Sequence, residues 1–208
     1  MELSVWLSFV GTVLILALTP GPSVLLATAN SMKYGANKTG GTILGDLSAN
    51  LCQIMLASAG LASIVTASGE LFQVIKWCGV AYLVWMGITK IRAKSEIHFS
   101  REQANERSFS KLYVEGFLMS AANPKAIIFF AALFPLFIDP AMTFLPQVII
   151  LAITFLVIDG LALSIYAHFA GRLKVYLEDQ EKVHFQNKIV GSLLIFSGLM
   201  LALVRKTE

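Results

Sequence analysis

The chain has 208 residues, of which 56% are hydrophobic and only 14% charged, with a formal net charge of +3. So apolar a composition lacks the polar surface of a soluble domain and fits a polytopic protein that uses the bilayer as its solvent. The small basic excess is spread over short loops rather than gathered in one patch, which excludes a nucleic-acid binder.

Crossing the hydrocarbon as a helix takes roughly 20 mostly apolar residues, and the spacing of the charges leaves six such stretches, predicted at 5–30, 40–65, 71–91, 113–138, 143–171 and 189–204. The runs are long and continuous, without the inside/outside alternation of barrel strands, so the predicted fold is an all-α bundle of six transmembrane helices. The first stretch follows Glu2 with no basic residue ahead of it and is too long for a signal-peptide core, so it reads as a retained span. It is interrupted by Thr19-Pro20-Gly21-Pro22. The second carries Asp46, Ser48, Asn50 and Gln53, with Asn50 one turn after Asp46 on the same face. The third is trimmed by Lys76 and holds Trp77, Tyr82 and Trp85, which suit an interfacial belt and helix packing. A polar run from Arg92 to Lys111 has no apolar face and reads as a linker. The fourth stretch is interrupted by Asn123-Pro124-Lys125, the fifth carries Asp159, and the sixth fits between Lys188 and Arg205. Cys52 and Cys78 form no CxxC and read as small packing residues.

With six spans, one membrane side receives twelve of the Lys and Arg residues and the other only Lys76, Arg205 and Lys206. The positive-inside rule makes the first side cytoplasmic and turns both termini outward. Superposing Pro20 on Pro124 places Phe9-Val10 on Tyr113-Val114, Leu14 on Leu118, Ala17 on Ala121 and Thr19 on Asn123. Three spans per half is an odd number, so the second half enters the membrane upside down, giving an inverted repeat. The whole chain, 1–208, is then one transporter domain: repeat 1 over about 1–91, a cytoplasmic linker at 92–112, and repeat 2 over about 113–208.

Proline removes an intrahelical donor and clashes with the preceding turn, so each break frees carbonyls on one side and starts a new half-helix on the other. The positive N-terminal ends of such half-helices attract carboxylates. At about 1.5 Å per residue, Pro20 lies about 15 Å in from Asn30 and Pro124 about 20 Å in from Lys111. Asp46 is about 12 Å in from Lys38, and Asp159 about 20 Å in from Arg172, so breaks and acids fall near mid-membrane. Lys125 is the one basic residue at that depth and needs an acidic partner, Asp46, Asp159 or both. One positive against two negative charges leaves a site for a proton, a sodium ion or a substrate ammonium. The predicted substrate-binding set is Thr19, Pro20, Gly21, Pro22, Asp46, Asn50, Asn123, Pro124, Lys125 and Asp159, with Asp46 and Asp159 coupling the ion. No metal-ligand spacing, cofactor motif or catalytic constellation accompanies them, so neither an enzyme nor a cofactor is expected.

Thr19-Pro20-Gly21-Pro22, the Gly45-Asp46 pair and Asn123-Pro124-Lys125, together with the size, the six apolar stretches and the polar linker, resemble the lysine exporter family, which includes homoserine and threonine exporters. The resemblance runs end to end. It implies a secondary exporter of amino acids or close derivatives in the cytoplasmic membrane, driven by protons or sodium; the expected mechanism is alternating access around the central site. It does not choose the amino acid. Two other classes are weighed against it: a thiol-disulfide electron carrier, which the absence of Cys at either break disfavours, and a cation exporter or channel using the two aspartates. Glycine-lined helix faces serve internal packing or a homodimer equally well.

Overall fold

The computed structural model describes residues 1–65, 107–123, 126, 129–130, 134–139 and 141–172, together with scattered positions between 77 and 92 and between 179 and 199. Pro124 and Lys125 lie outside the described residues, as does most of the third and sixth predicted spans. Among the described residues all regular structure is helical. The long helices among the described residues are α1 (Leu3–Ala17), α2 (Pro22–Tyr34), α3 (Ala36–Val65), α4 (Phe109–Ala121) and α5 (Phe144–His168), with a 3-10 turn at Phe134–Phe137.

The predicted first span is two helices. α1 ends at Ala17, α2 starts with Pro22 at its first position, and the two are bent by 53°. Proline at the first turn forfeits no hydrogen bond and presets φ, so Pro20 ends one helix and Pro22 opens the next. The fourth span breaks likewise: α4 stops at Ala121, Asn123 donates its N–H to the Ser120 carbonyl, and its own carbonyl accepts from Ala126.

The chain passes from α2 to α3 through Gly35 alone, at φ +85° and ψ 156°. Only glycine occupies that region comfortably, so Gly35→Ala is expected to lower stability by about 1–3 kcal/mol, read as a drop in melting temperature of the detergent-solubilised protein. α3 therefore begins at Ala36, four residues before the hydropathy pattern suggests, because its first turn is polar and lies beyond the apolar stretch.

α5 shows why this bundle sits in lipid. Leu145, Ile149, Ile153, Val157, Leu161 and Ile165, spaced by four, are exposed, whereas Gln147 and Tyr166 are buried. The apolar stripe faces out and the polar groups face in, the reverse of a soluble amphipathic helix. α3 repeats the pattern, with Leu44, Leu51 and Met55 outside and Thr39, Thr42, Asp46 and Asn50 inside. Of the described helices, α5 is long and apolar enough to cross the bilayer unaided, and α1 with α2 does so as a bent pair.

Helix directions follow from contacts. The Trp6 indole N–H donates to the Thr154 hydroxyl at 3.1 Å and the Ser31 hydroxyl to the Ala167 carbonyl at 2.5 Å, so α1 and α2 run parallel to α5. Leu47 lies against Gly160, while Ile54 joins Phe155 in one cluster, so α3 runs antiparallel to α5. α3 and α4 run parallel and cross at Gly45 and Gly116: a Cβ on Gly45 would collide with the Tyr113 carbonyl oxygen, and one on Gly116 with that of Thr42. The two backbones touch, the usual mode of close helix packing where lipid tails supply no hydrophobic drive.

Two apolar clusters flank the centre. One gathers Phe9, Phe129, Phe130, Phe134 and Phe155 with Val13 and Leu16, its rings in edge and stacked contacts 4.8–6.3 Å apart. The other is smaller: Val24, Ala27, Leu163 and Tyr166. Between them lies the polar site.

Candidate functional site

The site is built on one face each of α3 and α5, closed by the two helix breaks. Asp46 and Asn50 lie one turn apart on α3, and both are 3% exposed. The Asn50 Nδ2 donates to Asp46 Oδ2 at 2.8 Å and to Asp159 Oδ2 on α5 at 3.0 Å. Its Oδ1 accepts from the Ser120 hydroxyl on α4 at 3.0 Å. One side-chain amide thus holds two carboxylates from opposite helices and ties them to the end of α4. Both amide protons are used. A neutral donor between two acids lets both approach one cavity without direct contact of like charges.

That cavity, about 40 Å³, is lined by Asp46, Asn50 and Asp159 with Ser120 and Asn123 from the α4 break and Gly21 and Ser23 from the α1–α2 break. Val13, Leu16, Phe129 and Phe155 close it on one side, Val24 and Leu163 on the other. Asn123 Nδ2 reaches Ser23 Oγ at 3.5 Å, bringing the two breaks to one point. A space this small takes a few waters, far below the roughly 300 Å³ at which small-molecule pockets begin. An amino acid requires the helices to part.

Of the residues singled out from sequence, Gly21, Asp46, Asn50, Asn123 and Asp159 all line this cavity. Thr19 is buried beside it, its hydroxyl bonded to the Ile15 carbonyl at 2.5 Å; Pro20 is buried and Pro22 exposed. Pro124 and Lys125 lie outside the described residues. Ser23 and Ser120 also line the cavity, and the sequence does not mark them, since a lone serine in an apolar helix carries no signal until its partner across the bundle is known. Cys52 is a free, exposed thiol on α3, turned away from the Asp46–Asn50 face, and Cys78 lies outside the described residues.

The carbonyls freed by the breaks are capped by side chains. The Tyr166 hydroxyl donates to the Leu18 carbonyl at 2.9 Å, and Gln53 Nε2 donates to the carbonyls of Ser120 and Ala121 at 3.1 and 3.4 Å. This is the condition under which a broken helix survives in a membrane. At the end of the bundle where α2 meets α3, Glu115 on α4 accepts from Arg107 at 2.9 Å and from Asn30 at 3.4 Å, and Asn30 also donates to Thr42 at 3.0 Å.

Comparison with known proteins places the chain in a family. The family described as LysE type translocator matches residues 14–205. A homoserine/homoserine lactone efflux protein of Salmonella typhi is 32% identical over 200 residues, covering 96% of this chain and 97% of its own. An uncharacterised membrane protein of Vibrio cholerae is 34% identical over 202 residues, covering 97% and 98%, and one of Bacillus subtilis is 24% identical over 201 residues, covering 93% and 96%. No solved structure matches the chain. The protein is a membrane transport protein rather than an enzyme, and it belongs to the LysE type translocator family.

Proposed function

We propose that the protein exports amino acids or close derivatives, homoserine and its lactone among them, across the cytoplasmic membrane by alternating access around the cavity. The observation that carries this reading is the buried Asp46–Asn50–Asp159 bridge, seated where two broken helices meet in a chain of the translocator family. Buried acids in a membrane are costly and are retained where they hold a cation or a proton. The efflux activity of the Salmonella relatives supports the substrate class.

In this mechanism the substrate carboxylate is held by Lys125 and the half-helix N-termini at Gly21-Pro22 and Asn123-Pro124. The substrate ammonium, or a coupling proton or sodium ion, is held by Asp46 and Asp159. The six-span inverted repeat, with both termini outside, is supported by the matched breaks and by the parallel course of α3 and α4, which an odd number of spans per half requires. The exposed position of Cys52, away from the cavity, gives the thiol-disulfide reading no support.

Everted vesicles supplied with a panel of labelled amino acids, with and without pH and sodium gradients, test the reading. Gradient-driven uptake of homoserine or another amino acid is expected, and Lys125→Ala is expected to raise the apparent KM by about tenfold or more, the order of one charge-assisted contact. Uptake of no amino acid by correctly inserted protein, or normal kinetics in Lys125→Ala, would refute it.

A further inference from the structure

The capping side chains share a relation that the substrate site does not require. The offset of 113 residues that takes Asp46 to Asp159 also takes Gln53 to Tyr166. Each cap lies seven residues, two turns, beyond its acid on the same helix face. Each reaches across to the other half: Gln53 on α3 holds the carbonyl end of α4, and Tyr166 on α5 holds the carbonyl end of α1. Because α3 and α5 are antiparallel, the two caps sit on opposite sides of the cavity. Tyr166 lies toward the end where α2 turns into α3, and Gln53 lies toward the other.

From this arrangement we infer that Gln53 and Tyr166 are reciprocal positioning residues, one on each side of the site, that decide which side of the cavity opens; the inference rests on the alternating-access reading above. A helix bearing a site acid cannot tilt without pulling the opposite half's break, since the same helix grips that break two turns away. Opening one side therefore breaks one cap and leaves the other intact. Gln53 fits such a role because its donor is used while its buried Oε1 finds no hydrogen-bond partner among the described residues. Buried polar atoms are normally satisfied, and a group unsatisfied in one arrangement can be satisfied in another.

The test places a reporter cysteine at the cavity residue Ala17, in a background with Cys52 and Cys78 replaced by serine, and labels it with a membrane-impermeant thiol reagent from each face. Tyr166→Phe removes one hydroxyl and keeps the ring among Val24, Ala27 and Leu163. Gln53→Met removes the amide at similar length. Tyr166→Phe is expected to favour labelling from the Gly35 face by about fivefold, the factor set by one hydrogen bond of ordinary net strength. Gln53→Met is expected to shift the ratio the opposite way, and the double variant to return it toward the parent. Purely structural caps would loosen the protein equally toward both faces. Equal shifts, shifts in the same direction, or no shift would overturn the inference. Should Gln53→Met be poorly inserted, Tyr166→Phe decides alone, since an unshifted ratio there is sufficient to reject the idea. Labelling needs no substrate, so a protein that exports no amino acid but shows opposite shifts would refute the substrate assignment and leave the caps standing.

Discussion

Gradient-driven export is expected to fail when either Asp46 or Asp159 is replaced by asparagine, with the protein still inserted and folded. The substitution preserves shape, and the oxygen of the new amide still accepts from Asn50 Nδ2, which bridges the two positions at 2.8 and 3.0 Å. What disappears is one carboxyl group in a buried cavity, the group able to hold a cation or exchange a proton. Removing one member of a buried, hydrogen-bonded charge pair costs about 3 kcal/mol, which on the proposed reading is on the order of a hundredfold in the occupancy of the bound cation. Initial rates of labelled homoserine uptake into everted vesicles, normalised to membrane protein, provide the measurement. Rates within a factor of about two of the parent, less than one ordinary hydrogen bond is worth, would show that the acids hold only each other.

The second large effect concerns folding. A side chain at Gly45 or Gly116 meets backbone rather than a movable side chain, so α3 and α4 must separate to admit it. Overpacking of this kind costs about 1–3 kcal/mol or more, and in lipid no water-exclusion term helps restore the contact. Gly45→Val and Gly116→Val are expected to remove most of the monodisperse protein recovered in detergent. Gly11→Ala and Gly60→Ala, where a Cβ meets nothing within 4 Å, are the controls and should be tolerated. Equal recovery of all four variants would show that the crossing is not required.

The sequence makes the breaks and the acids visible for simple reasons. Proline in an apolar run has few readings, and an aspartate amid Leu and Ile has fewer. Asn50 follows Asp46 by one turn, so their shared face is local information. The caps are not local. Gln53 finds its partners 67 and 68 residues away and Tyr166 finds Leu18 148 residues away, and nothing in the local sequence points to those partners. The start of α3 was obscured because hydropathy marks where a helix enters lipid, not where it begins, and Gly35 ends α2 only one residue before Ala36. Glu115 is half-buried and joins Arg107 to Asn30 on α2, a partner 85 residues away that the local sequence does not reveal.

The depth of the Asp46–Asn50–Asp159 bridge has an electrical consequence. By helical rise Asp46 lies about 12 Å from Lys38 and Asp159 about 20 Å from Arg172, so on the proposed topology a cation reaching them from either side crosses part of the membrane field. The full potential is worth about 2.3 kcal/mol per elementary charge per 100 mV, and a site near the middle senses about half. On the proposed reading, filling and emptying of the acid pair therefore displaces charge along the field. Transport should respond to voltage clamped at constant pH and constant substrate, as a transient current in reconstituted membranes even before any net flux is measured.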